Sequence, residues 1–183
     1  MTRINLVDPK ELSDQHLIRE YNELPRCIKQ DIDTSDAPFR YTLGTGHMKW
    51  AKKHSQFLMN RYMKLCDEML YRGFKVNYPF VELFKYHLEN TLDINCNWYD
   101  VSHEDVELSK SRLNEKYKMK PNWYRWTKRK KPDYYGFQCC ECGKIVSSDN
   151  ELYVYVDGSN SAITKSMSSK GYCKECYSKK WSY

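Results

Sequence analysis

No apolar run in this sequence approaches the roughly 20 residues that a membrane-spanning helix requires. No signal peptide is recognisable, and no internal repeat is visible. Eight cysteines are present, but they do not suggest a secreted disulfide scaffold, because three are scattered singly and five lie near the C-terminus. These absences argue against a membrane protein and against a secreted one. We therefore expect a cytoplasmic protein with reduced cysteines.

Positive charge is distributed unevenly along the chain. The 183 residues carry a formal net charge of +6, yet from Asp133 onward six lysines balance six acidic residues. The whole excess therefore lies in residues 1–132, where it suits a polyanionic partner. With 40% hydrophobic and 30% charged residues, the composition is that of one globular domain, or of one domain with a small appendage.

Apolar residues at helical spacing predict the first helix. They are Leu17, Tyr21 and Leu24. The helix starts either at Asp8-Pro9, with Asp8 as the N-cap, or at Ser13. Pro25 is expected to kink or end it, and residues 27–42 are expected to form a surface loop.

Three further helices are predicted. The longest covers residues 47–71, a shorter one covers residues 80–92, and the last begins at Ser102, where Asp105 signals a capping box. This last helix stops before Pro121. The core-facing residues of the longest helix recur at spacings of 3, 4 or 7: Ala51, Leu58, Tyr62, Leu65 and Met69.

Residues 116–131 contain eight Lys or Arg and no acidic residue. Aromatic residues interleave with these charges: Tyr117, Trp123, Tyr124 and Trp126. Basic side chains neutralise phosphates, and aromatic faces stack on bases. The combination favours a nucleic-acid interface over a solvated basic linker.

Two Cys-x-x-Cys pairs near the C-terminus predict a metal site, formed by Cys139, Cys142, Cys173 and Cys176. Four thiolates can converge tetrahedrally on zinc, and a tail of about 50 residues is too small for much of a core without metal. We expect one structural zinc per chain rather than a redox dithiol, with Cys140 as a possible substitute for Cys139. The strand-like residues 152–156 complete a zinc ribbon.

The N-terminus offers an amine with useful chemistry. Thr2 has a small side chain, so we expect removal of Met1 and a free α-amine on Thr2. The reference pKa of such an amine is about 7.7–8.0, so roughly a tenth or more is unprotonated near neutral pH and can form a Schiff base. Glu23 is a candidate to move protons. Most proteins that begin Met-Thr make no use of this amine, so these residues alone leave catalysis open.

Several longer stretches of the chain, spread from its start to Tyr124, form a specific pattern. They are Met1-Thr2-Arg3-Ile4-Asn5-Leu6, Glu11-Leu12, Asp14-Gln15-His16-Leu17, Glu20-Tyr21, Glu23-Leu24-Pro25-Arg26, Leu43-Gly44-Thr45-Gly46-His47, Arg72-Gly73-Phe74, and Arg112-Leu113 through Trp123-Tyr124. These stretches resemble the phage endonuclease V family of pyrimidine-dimer DNA glycosylases with AP-lyase activity. The resemblance extends over residues 1–126 and does not include the cysteine-rich tail.

The resemblance implies a role for individual residues. The Thr2 amine would be the nucleophile, Glu23 the acid–base residue and Arg26 a phosphate contact at the active site. Other polar, basic and aromatic positions would bind DNA: Arg3, Gln15, His16, Asn22, Arg112, Lys116, Lys120, Trp123 and Tyr124. Asn22 stands where the family usually carries an arginine, and the loop after Arg26 lacks the family's basic run. Both departures concern which lesion is recognised.

The expected fold class is mainly α, with a compact helical domain of about three main helices in residues 1–132 and a small β-rich zinc ribbon in residues 133–183. The resemblance implies a DNA repair enzyme that removes UV pyrimidine dimers through a Schiff base on Thr2 and then nicks the strand by β-elimination. It needs no cofactor for catalysis.

Double-stranded damaged DNA is the expected partner, and we expect a monomer, a viral or phage protein acting in the host cell. The ribbon would contact a protein or further DNA. The competing hypothesis is a non-catalytic DNA-binding or recruitment module that acts through the zinc ribbon.

Overall fold

A computed structural model describes residues 4–146, 152–154 and 171–181, and these form six α-helices and four short strands. The helices are α1 (Asp14–Lys29), α2 (His47–Lys53), α3 (Ser55–Arg72), α4 (Phe80–Asn90), α5 (His103–Met119) and α6 (Lys174–Trp181). The strands are β1 (Phe137–Gln138), β2 (Ile145–Val146), β3 (Leu152–Val154) and β4 (Gly171–Cys173). The mainly helical fold class is confirmed, although more helices are present than the three main ones expected. Among the described helices, none combines the length and apolar character that a membrane crossing needs.

The chain forms two compact units. The first comprises the residues up to Ser109 together with Arg125–Lys130, and the second comprises Lys110–Tyr124 and the residues from Lys131 onward. Helix α5 contributes residues 103–109 to the first unit and residues 110–119 to the second. The prediction of two domains, residues 1–132 and residues 133–183, is a separate statement from this division into compact units, and it stays a prediction.

Both predicted starts of the first helix are used. Asp8 caps a single 3₁₀ turn, Pro9–Glu11. Ser13 then caps α1, and its hydroxyl accepts the amide proton of His16 at 3.2 Å. The predicted apolar stripe is buried in the core of the first unit: Leu17, Tyr21 and Leu24.

Pro25 does not end α1. The helix continues to Lys29, and Cys27 and Ile28 in this last turn are fully buried. A proline inside a helix costs about 3 kcal/mol, whereas burial of one large aliphatic side chain contributes about 1.5–3 kcal/mol. Burial of Ile28 together with Cys27 offsets the proline, so the predicted surface loop begins after Lys29.

The helix predicted over residues 47–71 is in fact two helices, α2 and α3, separated at His54. His54 leaves the helical conformation, with φ −106° and ψ 47°, and forms an isolated antiparallel bridge with Cys96. The apolar stripe continues across the break, which is why periodicity alone does not show it. All its members are buried: Ala51, Leu58, Tyr62, Leu65 and Met69. Gly73, with φ 85°, ends α3 in the left-handed conformation that favours glycine.

Helices α4 and α5 agree with prediction to within two residues. The capping box of α5 is present, since Ser102 Oγ accepts the Asp105 amide at 3.2 Å and Asp105 Oδ2 accepts the Ser102 amide at 3.0 Å. The same Oδ2 accepts from the Tyr99 hydroxyl at 2.7 Å. Because Tyr99 in turn accepts the Tyr41 amide at 2.9 Å, the start of α5 supports the chain that leads into α2.

The second unit contains two antiparallel strand pairs. Strand β1 pairs with β2, and β3 pairs with β4, with Leu152 opposite Cys173. Helix α6 follows β4 directly and was not predicted. The rest of the predicted strand, Tyr155 and Val156, lies outside the described residues. A small core joins the elements of this unit: Cys139, Val146, Tyr172 and Cys173.

Candidate active site and metal centre

The chain that leads to the N-terminus is fixed at Ile4. Met1, Thr2 and Arg3 lie outside the described residues, so the surroundings of Ile4 are the nearest described part of the predicted site. Ile4 is fully buried. Its amide donates to Nε2 of His47 at 3.0 Å, and its carbonyl accepts from the Tyr41 hydroxyl at 2.7 Å. The backbone is therefore held on both sides two residues after Thr2.

His47, the first residue of α2, is held in one tautomer. Its Nδ1 lies 2.6 Å from the carbonyl oxygen of Thr42. A carbonyl can only accept, so Nδ1 carries the proton and the lone pair of Nε2 receives the Ile4 amide. The neutral ring thus links the N-terminal chain to the glycine-containing turn before α2. Nothing in the spacing of the sequence indicates this role for His47.

Glu20 of α1 holds the next residues of the N-terminal chain. Its two carboxylate oxygens accept from the backbone amide of Asn5 at 3.2 Å and from the side-chain amide at 2.7 Å. Arg61 of α3 donates to the same carboxylate at 2.8 and 3.2 Å and also to the carbonyl of Val7. The side chains of Glu20 and Arg61 are 1% and 6% exposed. This buried network was not predicted, because a glutamate and an arginine far apart in sequence resemble surface charges.

Glu23 lies one helical turn after Glu20, on the same side of α1. Its side chain is 18% exposed and accepts from Nε of Arg19 at 3.1 Å. Arg19 is 69% exposed, so this pair contributes about 0.5 kcal/mol or less, and a ligand can displace it at little cost. Asn22 and Arg26 are exposed. The predicted acid–base residue is thus partly shielded and reachable.

The start of α2 packs beside this part of α1. The sulfur of Cys27 lies 3.8 Å from that of Met48. Gly46, with φ 91°, precedes α2, and a β-carbon added there would lie 2.8 Å from Cγ of Pro38. The loop that contains Pro38 therefore packs directly on the glycine turn. The N-terminal chain, α1 and the start of α2 meet in one place.

Cys27 is chemically inert in this setting. Burial, assisted by the charges of Glu20 and Glu23, raises the pKa of its thiol to about 12. The thiol therefore stays neutral at physiological pH and does not act as a nucleophile. Its role is to pack α1 against α2.

The residues predicted to bind DNA near the start of α1 also have structural contacts. The side-chain oxygen of Gln15 accepts the amide of Arg125 at 3.1 Å. His16 Nδ1 lies 2.9 Å from the hydroxyl of Ser13, the helix cap. Both side chains are half-buried. Their contacts hold the start of α1 and the segment at Arg125, and part of each side chain remains exposed to solvent.

Part of the basic stretch is bound to the first unit rather than free. Arg129 pairs with the buried Glu68 at 2.7 Å and lies 4.0 Å from the centre of the Tyr71 ring. Burial alone would raise the pKa of the Glu68 carboxyl, but hydrogen bonds from Arg129 and Arg72 outweigh it and lower the pKa. Lys128 donates to the Tyr71 carbonyl at 2.8 Å. These two basic residues stabilise the fold, which the count of charges did not indicate.

The other predicted DNA-binding residues lie in the second unit. Trp123 is 56% exposed and meets Tyr124 edge-on at 5.1 Å. Lys120 is exposed, whereas Lys116 and Arg112 are half-buried. An exposed indole and an exposed ammonium group three residues apart in sequence have the chemistry of a base-stacking and phosphate contact. The predicted DNA-binding positions are thus divided between the two units.

Four cysteine sulfurs converge in the second unit. Those of Cys139, Cys142, Cys173 and Cys176 all lie within 4.8 Å of one another, and the sulfurs of Cys142 and Cys173 are 3.8 Å apart. Zinc–sulfur bonds of about 2.3 Å in a tetrahedron place the sulfurs about 3.8 Å apart. The four thiols therefore fit a tetrahedral metal ion. Cys140 is exposed and outside this group. Of the two neighbours Cys139 and Cys140, Cys139 is therefore the one that can serve as a ligand.

The protonation of this cluster agrees with a cation site. Burial alone would raise the pKa of Cys139, but amide hydrogen bonds from Cys142, Cys173 and Glu141 lower it to about 6. The pKa of Cys176 is raised to about 12 because its thiol is hydrogen-bonded by Cys142. The Cys139 thiolate forms readily whereas the Cys176 thiol resists ionisation, since several negative charges at this distance need a cation to balance them.

A cleft of about 580 Å³ opens elsewhere in the first unit. Its lining includes Asp33, Ser35, Lys53 and Asn95. None of the described residues predicted for catalysis or DNA binding lines it. This cleft is therefore not the candidate active site.

Comparison with known families finds a match in the first part of the chain. Residues 1–82 match the family model described as pyrimidine dimer DNA glycosylase. This segment contains Glu20, Glu23, His47 and Arg61, and so includes most of the network around Ile4. The resemblance predicted from the N-terminal residues is confirmed over this segment. Its extension to residue 126 stays a prediction, and the cysteine cluster lies outside the match.

Proposed function

We propose, from the match of residues 1–82 to the pyrimidine dimer DNA glycosylases, that this protein is a DNA repair enzyme acting on UV pyrimidine dimers. It releases the damaged base as an N-glycosylase and then nicks the strand as an AP lyase. The nucleophile is the α-amine of Thr2, exposed by removal of Met1.

The contact between Asn5 and Glu20 carries this proposal. Glu20 and Glu23 are separated by about 4.5 Å along the helix axis, and the three residues from Thr2 to Asn5 span at most about 11 Å. An amine on Thr2 is therefore tethered within about 11 Å of the contact between Asn5 and Glu20, one turn of α1 before Glu23. An anchor this close to a nucleophile also reduces the entropy lost on reaching the reactive geometry.

The chemistry follows from an amine and a carboxylate. The amine nitrogen bonds to the anomeric carbon of the damaged nucleotide as the bond to the base breaks, and the departing base takes up a proton. Opening of the sugar ring gives a protonated imine, which acidifies the neighbouring sugar C–H. Removal of that proton expels the 3′ phosphate by β-elimination, and water then hydrolyses the imine to restore Thr2.

Glu23 moves the protons in this sequence. Its carboxylate is 18% exposed and is held by an easily displaced Arg19, so it can accept a proton from the sugar and stabilise the cationic imine. Arg26, one turn further along α1, binds the phosphate beside the lesion. Arg3, Gln15, His16 and Asn22 contact DNA from the same unit.

The second unit supplies further DNA contacts and a structural zinc. Arg112, Lys116 and Lys120 bind phosphates, and Trp123 and Tyr124 meet bases or sugars. The four cysteine thiolates hold zinc, the ion that tetrahedral four-sulfur sites commonly bind. With all four positions taken by protein, the metal stabilises the fold of the unit and takes no part in the reaction.

Borohydride trapping tests this function directly. An imine on Thr2 is reducible, so borohydride should link the protein covalently to a duplex that carries one abasic site. A variant with an extra residue before Thr2 should lose most of the trapping, and intact-mass measurement establishes the N-terminus of each preparation. Equal trapping by the extended protein would show that Thr2 is not the nucleophile.

A recruitment module that binds DNA without chemistry is the second candidate. Its support is the cysteine cluster, which lies in its own compact unit outside the family match. If the unmodified protein binds irradiated duplex but nicks neither irradiated nor abasic DNA, this second function replaces the first.

A further inference from the structure

Phe39 is the most exposed large hydrophobic side chain in the described part of the protein, at 85%. Single exposed apolar residues are common and usually need no explanation. Phe39 differs from such residues because the loop that carries it is held at both ends. A phenylalanine fully presented to solvent on a fixed support is an arrangement that proteins use to part stacked bases.

The loop that carries Phe39 is held at both ends. Before it, Pro38 packs on Gly46, where any β-carbon would meet the proline ring at 2.8 Å. After it, Tyr41 is buried. Its amide donates to the hydroxyl of Tyr99, and its own hydroxyl donates to the carbonyl of Ile4. The backbone on each side of Phe39 therefore has little freedom, while the side chain itself is open.

The position of this loop relates Phe39 to the candidate active site. Tyr41, two residues after Phe39, bonds the same Ile4 that His47 anchors. Pro38, one residue before it, packs on the turn that begins α2, and Met48 of α2 touches Cys27 of α1. Phe39 thus lies in a loop whose neighbouring residues contact the N-terminal chain and the turn before α2, the helix that packs on α1.

We propose that Phe39 is a wedge that inserts between stacked bases beside the lesion and holds the duplex open for attack. The substrate class is duplex DNA with a weakened step, and this role rests on the proposed function. An enzyme that attacks an anomeric carbon inside a duplex needs the target nucleotide displaced from the stack. An aromatic side chain that takes the vacated space replaces part of the lost stacking and makes such unstacking less costly.

The test separates base unstacking from chemistry. A duplex with a stable abasic analogue and 2-aminopurine at the neighbouring position reports unstacking as a rise in fluorescence and requires no catalysis. Unmodified protein should produce the rise, Phe39→Ala should lose most of it, and Phe39→Trp should restore it. Leu88→Ala is the matched control, because Leu88 is 67% exposed on α4 and should leave the rise unchanged.

Nicking rates complete the test. On irradiated duplex, Phe39→Ala should lower kcat/KM by roughly 5- to 150-fold, the factor that corresponds to one base–aromatic contact. On single-stranded abasic DNA, where no stack has to open, it should nick as fast as the unmodified protein. Absence of nicking by the unmodified protein on both the duplex and the single strand would refute the proposed function alone. An equal fluorescence rise with Phe39→Ala, or no rise with the unmodified protein, would refute the wedge.

Discussion

Nε2 of His47 accepts the amide proton of Ile4 at 3.0 Å, and this bond ties the start of α2 to the chain that leads to Thr2. We expect His47→Leu to lower the rate of borohydride trapping on abasic DNA, because it frees the N-terminal chain and leaves the buried Ile4 amide and the part-buried Thr42 carbonyl without the imidazole as a partner. Each such group costs about 1–3 kcal/mol, so the unfolding free energy should also fall.

His47→Gln separates positioning from stability in this experiment. An amide side chain can accept from Ile4 and donate to Thr42, so it should recover most of the trapping rate. If His47→Leu traps DNA as fast as the unmodified protein, the anchor does not position the amine.

The buried pair of Glu20 and Arg61 should dominate the stability of the first unit. Arg61→Met leaves the Glu20 carboxylate buried without its cation, and removal of one partner of a buried pair costs about 3–5 kcal/mol. Urea unfolding measures the loss. A double variant, Glu20→Leu with Arg61→Met, should be more stable than the single one, because no uncompensated charge remains. Equal stability of the two variants would show that the charge is not the cause.

Local patterns predicted the elements of this fold well. The stripe from Ala51 to Met69, the capping box of Ser102 and Asp105, and the cysteine spacing each depend on neighbours within a few residues or on strict metal geometry. The break at His54 was not predictable from them, because it depends on a bridge to Cys96, 42 positions away in sequence (96 − 54). The continuation of α1 past Pro25 likewise depends on tertiary burial of Cys27 and Ile28.

The residues of the candidate site also fall into a group that the sequence predicts and a group that it does not. Glu23 and Arg26 could be nominated from the sequence, because their family motif is contiguous. The supports around them could not, since Glu20, Arg61 and His47 act through contacts between distant segments. At Arg129 the structure adds a contact that the count of charges did not indicate, because this residue of the basic stretch pairs with Glu68.

Stability should decline as the pH falls from 7 to 5. Burial lowers the pKa of His54 and of His87 below the ordinary value of 6.5. The unfolded chain therefore binds more protons than the folded one below about pH 6.5, and each histidine removes at most about 1.4 kcal/mol of unfolding free energy per pH unit. Urea titrations at several pH values measure the slope.

Substitution should reveal which histidine is responsible. His87→Gln should flatten the dependence on pH, whereas His103→Gln, at an exposed position on α5, should leave it unchanged. The same slope in both variants would exclude His87 as a source.

Metal removal should affect the second unit selectively. Elemental analysis should find one zinc per chain, and Cys173→Ser should lose it, because three thiolates bind far more weakly than four. Cys140→Ser is the control and should retain the metal, since Cys140 lies outside the cluster. Chelation should unfold the tail while most of the helical circular dichroism signal remains. Iron in place of zinc, or no metal in protein purified under reducing conditions, would contradict the assignment.

Glu23→Gln should separate binding from chemistry. The amide keeps the size of the side chain and cannot exchange protons, so nicking of irradiated duplex should fall by about 10²–10⁴-fold. Binding should hold or tighten, because a negative charge near phosphates is removed. A gel-shift titration beside a nicking assay on the same duplexes measures both. Glu89→Gln makes the same chemical change on the exposed surface of α4 and should alter neither.

Arg26→Ala should give the opposite pattern to Glu23→Gln. Loss of a phosphate contact weakens binding and cleavage together, and it reduces the slope of log affinity against log salt concentration by about one. The contrast matters because both residues lie on the same part of α1, so a general disturbance of the helix would affect the two variants alike. If Glu23→Gln nicks as fast as the unmodified protein while Arg26→Ala is impaired, α1 binds DNA but the proton-transfer group lies elsewhere.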